Sequence, residues 1–138
     1  MILVTGGAGF IGSNLVRGLN DRGITDILIV DNLENSVKFR NLVGCQFVDY
    51  IDKRAFRALL DDGAFDVPLS AIFHQGACTD TMEYDGRYMM DNNYTVSKGL
   101  LHYALENEIP FIYASSAAVY GTAEEFSEDP ANERPANI

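Results

Sequence analysis

Met1-Ile2-Leu3-Val4-Thr5-Gly6-Gly7-Ala8-Gly9-Phe10-Ile11-Gly12 is the stretch that decides the fold. A short apolar run enters a glycine-dense turn, and the turn opens a helical pattern. The glycines at 6, 9 and 12 fit G-x-x-G-x-x-G, and those at 7, 9 and 12 also fit G-x-G-x-x-G. In such a turn the first glycines let the chain swing sharply from strand to helix. Gly9 lets backbone N–H groups approach a pyrophosphate unobstructed, and Gly12 lets the helix pack close on the strand. The helix N-terminus adds unpaired N–H donors and partial positive charge. A second buried strand, Ile27-Leu28-Ile29-Val30, ends at Asp31, 19 residues after Gly12. A carboxylate there can accept hydrogen bonds from the hydroxyls of an adenosine ribose. The alternative is a plain turn with no ligand.

Outward from this unit, the periodicity predicts a helix over about Phe10–Asn20, with Ile11, Leu15 and Leu19 facing in and Arg17, Asn20 and Asp21 facing water. Asp21-Arg22-Gly23 ends it. Strand two covers Asp26–Val30. A polar loop, Asn32–Ser36, leads to a short helix near Lys38–Leu42, and Gln46-Phe47-Val48 reads as the third strand. A helix over Asp52–Leu60 follows, with Asp52 as its N-cap and Phe56, Leu59 and Leu60 inward. Leu69–His74 is strand four. The long helix after Arg87 places Met90, Tyr94, Ser97, Leu101 and Leu105 on one side and Asp91, Thr95, Lys98, His102 and Glu106 on the other. Phe111–Ala114 is strand five, and the stretch from Glu124 onward, with Pro130 and Pro135, reads as loop.

Strands alternating with helices specify an α/β fold: a doubly wound parallel sheet in the order 3-2-1-4-5, with right-handed crossovers and helices on both faces. Residues 1–138 form one dinucleotide-binding domain, of which 122–138 is an acidic irregular tail. In such sheets the ligand lies beyond the C-terminal ends of the strands. The notable polar clusters all fall at such ends: Gly6–Gly12, Asp31-Asn32, Asp49-Tyr50, His74–Thr79 and Ser115-Ser116.

Composition narrows the classes of function. Apolar residues make up 47% and the net charge is −10, with no basic run. That speaks against nucleic acid and against an anionic membrane surface as partners. Cys45 and Cys78 make neither a disulfide framework nor a metal site. Cys45 begins an apolar strand and Cys78 follows a Gly-Ala turn, so both read as reduced thiols of a cytoplasmic protein. The N-terminal apolar run is too short for a signal peptide, and no stretch approaches a membrane span.

Three of these segments together form the pattern of a known group. Thr5–Gly12, the Asp31-Asn32 pair and Ala114-Ser115-Ser116-Ala117-Ala118-Val119-Tyr120-Gly121 resemble the extended short-chain dehydrogenase/reductases that act on nucleotide sugars, which carry the Rossmann fold. Further segments are similar to one branch of it, the ADP-heptose epimerases of lipopolysaccharide core biosynthesis. These are Leu19–Leu28, Ile72-Phe73-His74-Gln75-Gly76-Ala77-Cys78 and Tyr88-Met89-Met90-Asp91-Asn92-Asn93-Tyr94. The likeness fades after Gly121. It implies an isomerase that inverts C6 of ADP-D-glycero-D-manno-heptose by transient oxidation. A tyrosinate takes the hydroxyl proton, hydride passes to a nicotinamide, and the ketone takes the hydride back on its other face. Another nucleotide-sugar epimerase or dehydratase, or an inactive dinucleotide-binding module, are the alternatives.

The resemblance implies these roles by matching position. Ser116 corresponds to the serine that holds the reacting oxygen, although a turn hydroxyl bonding its own backbone fits it too. The family's Tyr-x-x-x-Lys motif is expected just beyond Arg134–Ile138, with the substrate lobe after it. Tyr120 belongs to a separate Val-Tyr-Gly pattern and reads as packing or site wall. Gly6, Gly9, Phe10, Ile11 and Gly12 surround the pyrophosphate, and Asp31 and Asn32 meet the ribose. Lys38 and Lys53 meet phosphate on the adenosine side. Gln75, Gly76, Ala77, Cys78 and Thr79 follow strand four, and Asn92 lies on the long helix. From the residues alone, Lys53 reads as a surface lysine and Asn92 as solvated. His74 reads as a packed neutral histidine rather than a general base, and His102 as solvated. Asp31 alone favours NAD, because its charge opposes a 2′-phosphate. Lys38 and Lys53 offset it, so the expected cofactor is NADP, with NAD as the alternative. The expected partners are a nucleotide sugar and, for the parent enzyme, further copies of itself.

Overall fold

A computed structural model describes residues 1–34, 36–80 and 82–133. Its chain order is β1 (Ile2–Thr5), α1 (Phe10–Asn20), β2 (Ile27–Asp31), a 3-10 segment (Ser36–Leu42), β3 (Asp49–Asp52), α2 (Lys53–Asp61), β4 (Ala71–His74), α3 (Gly86–Met89), a π-turn (Met90–Thr95), α4 (Val96–Glu106) and β5 (Phe111–Tyr113). The five strands form one sheet in the order β3-β2-β1-β4-β5. Every pairing is parallel, with Thr5 opposite Val30 on one side and His74 on the other. This is the expected doubly wound, Rossmann-type sheet, and its switch point lies beside β1, where the chain reverses direction across the sheet.

The two faces have separate cores. On one, Leu3, Leu28, Val30 and Ile72 of the sheet meet Phe56 of α2, Phe65, and Leu100 and Ala104 of α4. On the other, Val4, Ile27 and Ile29 meet Val16 of α1. β2 is buried at all five positions, as a strand covered on both faces must be.

Three element readings need correction. The third strand is Asp49–Asp52, not Gln46–Val48. As an edge strand it tolerates acidic residues, so apolarity was the wrong guide. Cys45 accordingly sits in the turn before the strand rather than in it, and Asp49 and Tyr50 begin β3 instead of following it. In α1 Leu15 and Leu19 pack against the core as expected, but Ile11 is 64% exposed and the fully buried residues are Gly12, Ser13 and Val16. Arg17 and Asn20, expected to face water, donate to the backbone carbonyls of Asn41 and Gln46.

The long helix departs most. Its buried residues are Leu100 and Ala104, with Val96 and Tyr103 packed beside them, while Met90, Tyr94, Leu101 and Leu105 are exposed. A regular helix over Arg87–Glu106 was assumed, whereas the π-turn shifts the upstream register. Of the tail, residues 121–133 are irregular apart from a 3-10 turn, Pro130–Asn132. Residues 134–138, and Asn35 of the polar loop, lie outside the described residues. Among the described residues, no helix is long and apolar enough to cross a membrane.

Candidate functional site

Beyond the C-terminal ends of β1, β2 and β4 lies a cavity of about 700 Å³. Its floor is the glycine turn. Gly6 takes φ +68°, and a Cβ there would come within 2.8 Å of the Gln75 and Gly76 backbone. A Cβ on Gly12 would sit 2.2 Å from the Gly6 carbonyl oxygen. Both positions therefore exclude any side chain. The Gly7 side of the turn rests on Ile29 of β2.

Asp31 is 6% exposed, and both oxygens of its carboxylate have partners within the chain. It accepts the Ala8 N–H at 2.8 Å and the Asn32 N–H at 2.7 Å, and it pairs with the Lys38 ammonium. One carboxylate thus links the glycine turn, the end of β2 and the 3-10 segment. Asn41 completes this corner by donating to the Ala8 carbonyl at 2.9 Å. The Tyr50 hydroxyl donates to the Asp31 carbonyl at 2.8 Å. Burial pushes the Tyr50 phenol above its ordinary value, and Asp52 and Asp31 add to the effect.

The opposite wall comes from α2 and the π-turn. Lys53 donates to Asn92 Oδ1 at 3.1 Å and lies 5.4 Å from the Tyr88 ring centroid. Lys38, Lys53, Arg54 and Arg57 all line the cavity, four of the ten lysines and arginines in a chain of net charge −10. Lys38 pairs with Asp31, Arg54 with Glu34, and Arg57 with both Asp61 and Asp91, while Lys53 hydrogen-bonds to neutral Asn92. Such a concentration of cations suits a multiply charged anion.

The third wall is the Gln75–Thr79 loop. His74, 5% exposed, sits at its base with Nδ1 2.6 Å from Thr5 Oγ1 and Nε2 2.8 Å from Ser97 Oγ. Burial lowers its pKa, so it is the packed neutral histidine expected. Cys78 is held by Asn93, whose amide accepts the Cys78 N–H at 2.7 Å and donates to the Cys78 carbonyl at 3.0 Å. Cys45 and Cys78 are both free thiols.

All fifteen residues expected at the cofactor line this one cavity. Ser116 does not. It is exposed at the start of the 3-10 turn Ala117–Tyr120, where its hydroxyl accepts the Ala118 N–H at 3.2 Å. Tyr120 packs edge-on against Phe126, with centroids 5.6 Å apart. His102 is exposed with Lys98 and Glu106. The Tyr-x-x-x-Lys spacing, sought only beyond the tail, also occurs at Tyr94 and Lys98. Both side chains are exposed and neither lines the cavity. Sequence reasoning missed Thr5, Asn41, Arg54, Arg57, Tyr88 and Asn93. Arg54 and Arg57 carried a usable signal, since they follow Lys53 within the first turns of α2 and bring a basic cluster to a strand end.

Comparison with known proteins agrees with this geometry. The sequence profile of the NAD dependent epimerase/dehydratase family matches residues 2–137. The chain belongs to that family. Among solved structures it is similar to the ADP-L-glycero-D-manno-heptose-6-epimerase of Helicobacter pylori, with 31% identity and a TM-score of 0.78, covering 99% of this chain and 45% of that one. It is similar too to the UDP-N-acetylglucosamine 4-epimerase of Methanobrevibacter ruminantium in complex with UDP-N-acetylmuramic acid: 30% identity, TM-score 0.76, 98% of this chain and 44% of that one. A third is the UDP-glucose 4-epimerase of Brucella ovis in complex with NAD: 25% identity, TM-score 0.72, 97% and 41%. The chain therefore spans less than half the length of these structures.

Proposed function

We propose that this chain is the NADP-binding half of a nucleotide-sugar epimerase that converts ADP-D-glycero-D-manno-heptose to its L-glycero epimer. The observation that carries the dinucleotide reading is the convergence of the glycine turn, Asp31 and four cations on one cavity. The pyrophosphate lies over Gly9–Ile11, where N–H donors at the start of α1 point outward. The adenosine ribose lies against Asp31 and Asn32. Lys38 neutralises Asp31, which removes the usual repulsion of a 2′-phosphate. Lys53 adds positive charge from the α2 wall of the cavity. The cofactor supplies hydride chemistry, and this chain's residues bind and orient it. The likeness to the heptose epimerase, together with the segments around His74 and Asn92, supports the choice of sugar. Ser116 is the residue of this chain proposed to hold the reacting oxygen. The acidic stretch 122–138 is proposed as a tail of the same domain.

The test is calorimetric titration of NADPH and NADH. NADPH is expected to bind at least as tightly as NADH. Gly9→Val puts a branched side chain at the phosphate, while its Cβ meets only the Gly6 carbonyl oxygen, at 3.1 Å. Binding should fall at least tenfold, about 1.4 kcal/mol, with the fold retained. Affinity unchanged in Gly9→Val would mean that the phosphate lies elsewhere.

A further inference from the structure

Five polar groups form a line from the glycine turn to the π-turn, and their hydrogen-bond directions can be solved. Ser97 Oγ lies 2.6 Å from the Asn93 carbonyl oxygen, which can only accept. The single hydroxyl proton of Ser97 is committed there. Nε2 of His74, 2.8 Å from the same Oγ, must therefore donate. A neutral imidazole carries one N–H, so Nδ1 is bare and accepts from the Thr5 hydroxyl at 2.6 Å. One of the two lone pairs on Thr5 Oγ1 takes the Gly76 N–H at 3.1 Å. Donation runs from Gly76 to Thr5 to His74 Nδ1, and from His74 Nε2 to Ser97 to Asn93. The Asn93 side chain then clamps Cys78 through both its N–H and its carbonyl.

We infer that His74 is a positioning residue, a single-tautomer connector whose two nitrogens hold the Gln75–Thr79 wall of the cavity at Gly76 and at Cys78. The inference rests on the dinucleotide reading for what the wall binds, but the connector itself stands on geometry. The imidazole also stacks on Phe111, with centroids 5.9 Å apart, so its ring plane is fixed. A second proton on the ring would remove the bare Nδ1 that accepts from Thr5, so the Thr5 hydroxyl would have to turn its proton away from its acceptor. The line works only with the Nε2–H tautomer. It presents a prearranged wall rather than one ordered on binding.

Two measurements on the chain test this. Long-range ¹H–¹⁵N spectra should show His74 wholly as the Nε2–H tautomer; the Nδ1–H form would overturn the connector. Ser97→Ala removes the acceptor for Nε2–H. It should weaken NADPH binding roughly tenfold and speed amide exchange at Gly76 and Cys78. Ser97→Thr, which keeps the hydroxyl, should restore both. Unchanged affinity in Ser97→Ala overturns the positioning role. Should Ser97→Ala fail to fold, Asn93→Asp serves. It can accept from the Cys78 N–H but cannot donate to the carbonyl, so affinity must again fall, and unchanged affinity again sinks the role. Absence of both NADPH and NADH binding in the unmutated chain defeats the dinucleotide reading, while the tautomer and exchange data still decide the connector.

Discussion

The Asp31 carboxylate, proposed to meet a ribose, already has a structural task. It accepts from Ala8 and Asn32 and pairs with Lys38, so it joins the glycine turn to the loop after β2 before any ligand arrives. The glycines divide by what a methyl group would strike. Gly9 opens on the cavity, whereas Gly12 is wedged against the Gly6 backbone. Gly12→Ala should cost about 3 kcal/mol, because backbone must move to admit the 2.2 Å contact. Thermal denaturation should show a midpoint lowered by roughly 10 °C. A shift under a few degrees would mean that the turn yields cheaply. At this scale the sequence was most readable. Spaced glycines and a distant acid are local signals with one joint explanation. Asn41 and Asn93 were not readable, because an asparagine that bonds a distant backbone looks the same as a solvated one.

Among elements, β1, α1 and β2 were legible because strand, glycine turn and helix follow one another within a few residues. The π-turn was not. Periodicity counts at 3.6 residues per turn, and one wider turn moves every upstream side chain to another face. β3 was misplaced for a different reason, since an edge strand needs hydrogen-bond partners more than apolar side chains. His74 gives this level a pH signature. Its immediate partners are the Thr5 and Ser97 hydroxyls and the Phe111 ring. Its folded pKa lies below the ordinary value of 6.5, so the unfolded chain binds the proton more readily. Its contribution to stability is complete above pH 6.5 and is lost as pH falls from there through the folded value. Denaturant titrations from pH 7.5 down to 5 should show this decline, and His74→Gln should remove its share. An identical profile in His74→Gln would show that other groups set the dependence.

For the whole molecule, the sheet ends at β5 with Ile112 50% and Tyr113 62% exposed, and Leu101 and Leu105 of α4 are exposed as well. The sheet is parallel throughout, and parallel strands are normally covered on both faces. The proposed half-enzyme reading predicts dinucleotide binding without turnover by this chain alone. A base must reach the sugar hydroxyl, and Tyr94 with Lys98 lies outside the cavity. Incubation with ADP-heptose, followed by NMR of the C6 epimer, should show no conversion above background. Conversion that disappears in Tyr94→Phe would relocate the chemistry to α4.

The π-turn has a consequence in the language of insertions and deletions. A helix needs no extra residue to remain a helix, and Met90–Thr95 carries one. Removing one codon there would let α3 run straight into α4. Val96, Leu100 and Ala104 would keep their seats in the core. Everything upstream would turn by about 100° about the axis and slip by about 1.5 Å. Asn92 would leave Lys53, and Asn93 would leave Cys78. A lineage could thus lose the cavity wall in one step with its fold intact. The spare residue is a heritable register setting that serves the cavity wall and not the core.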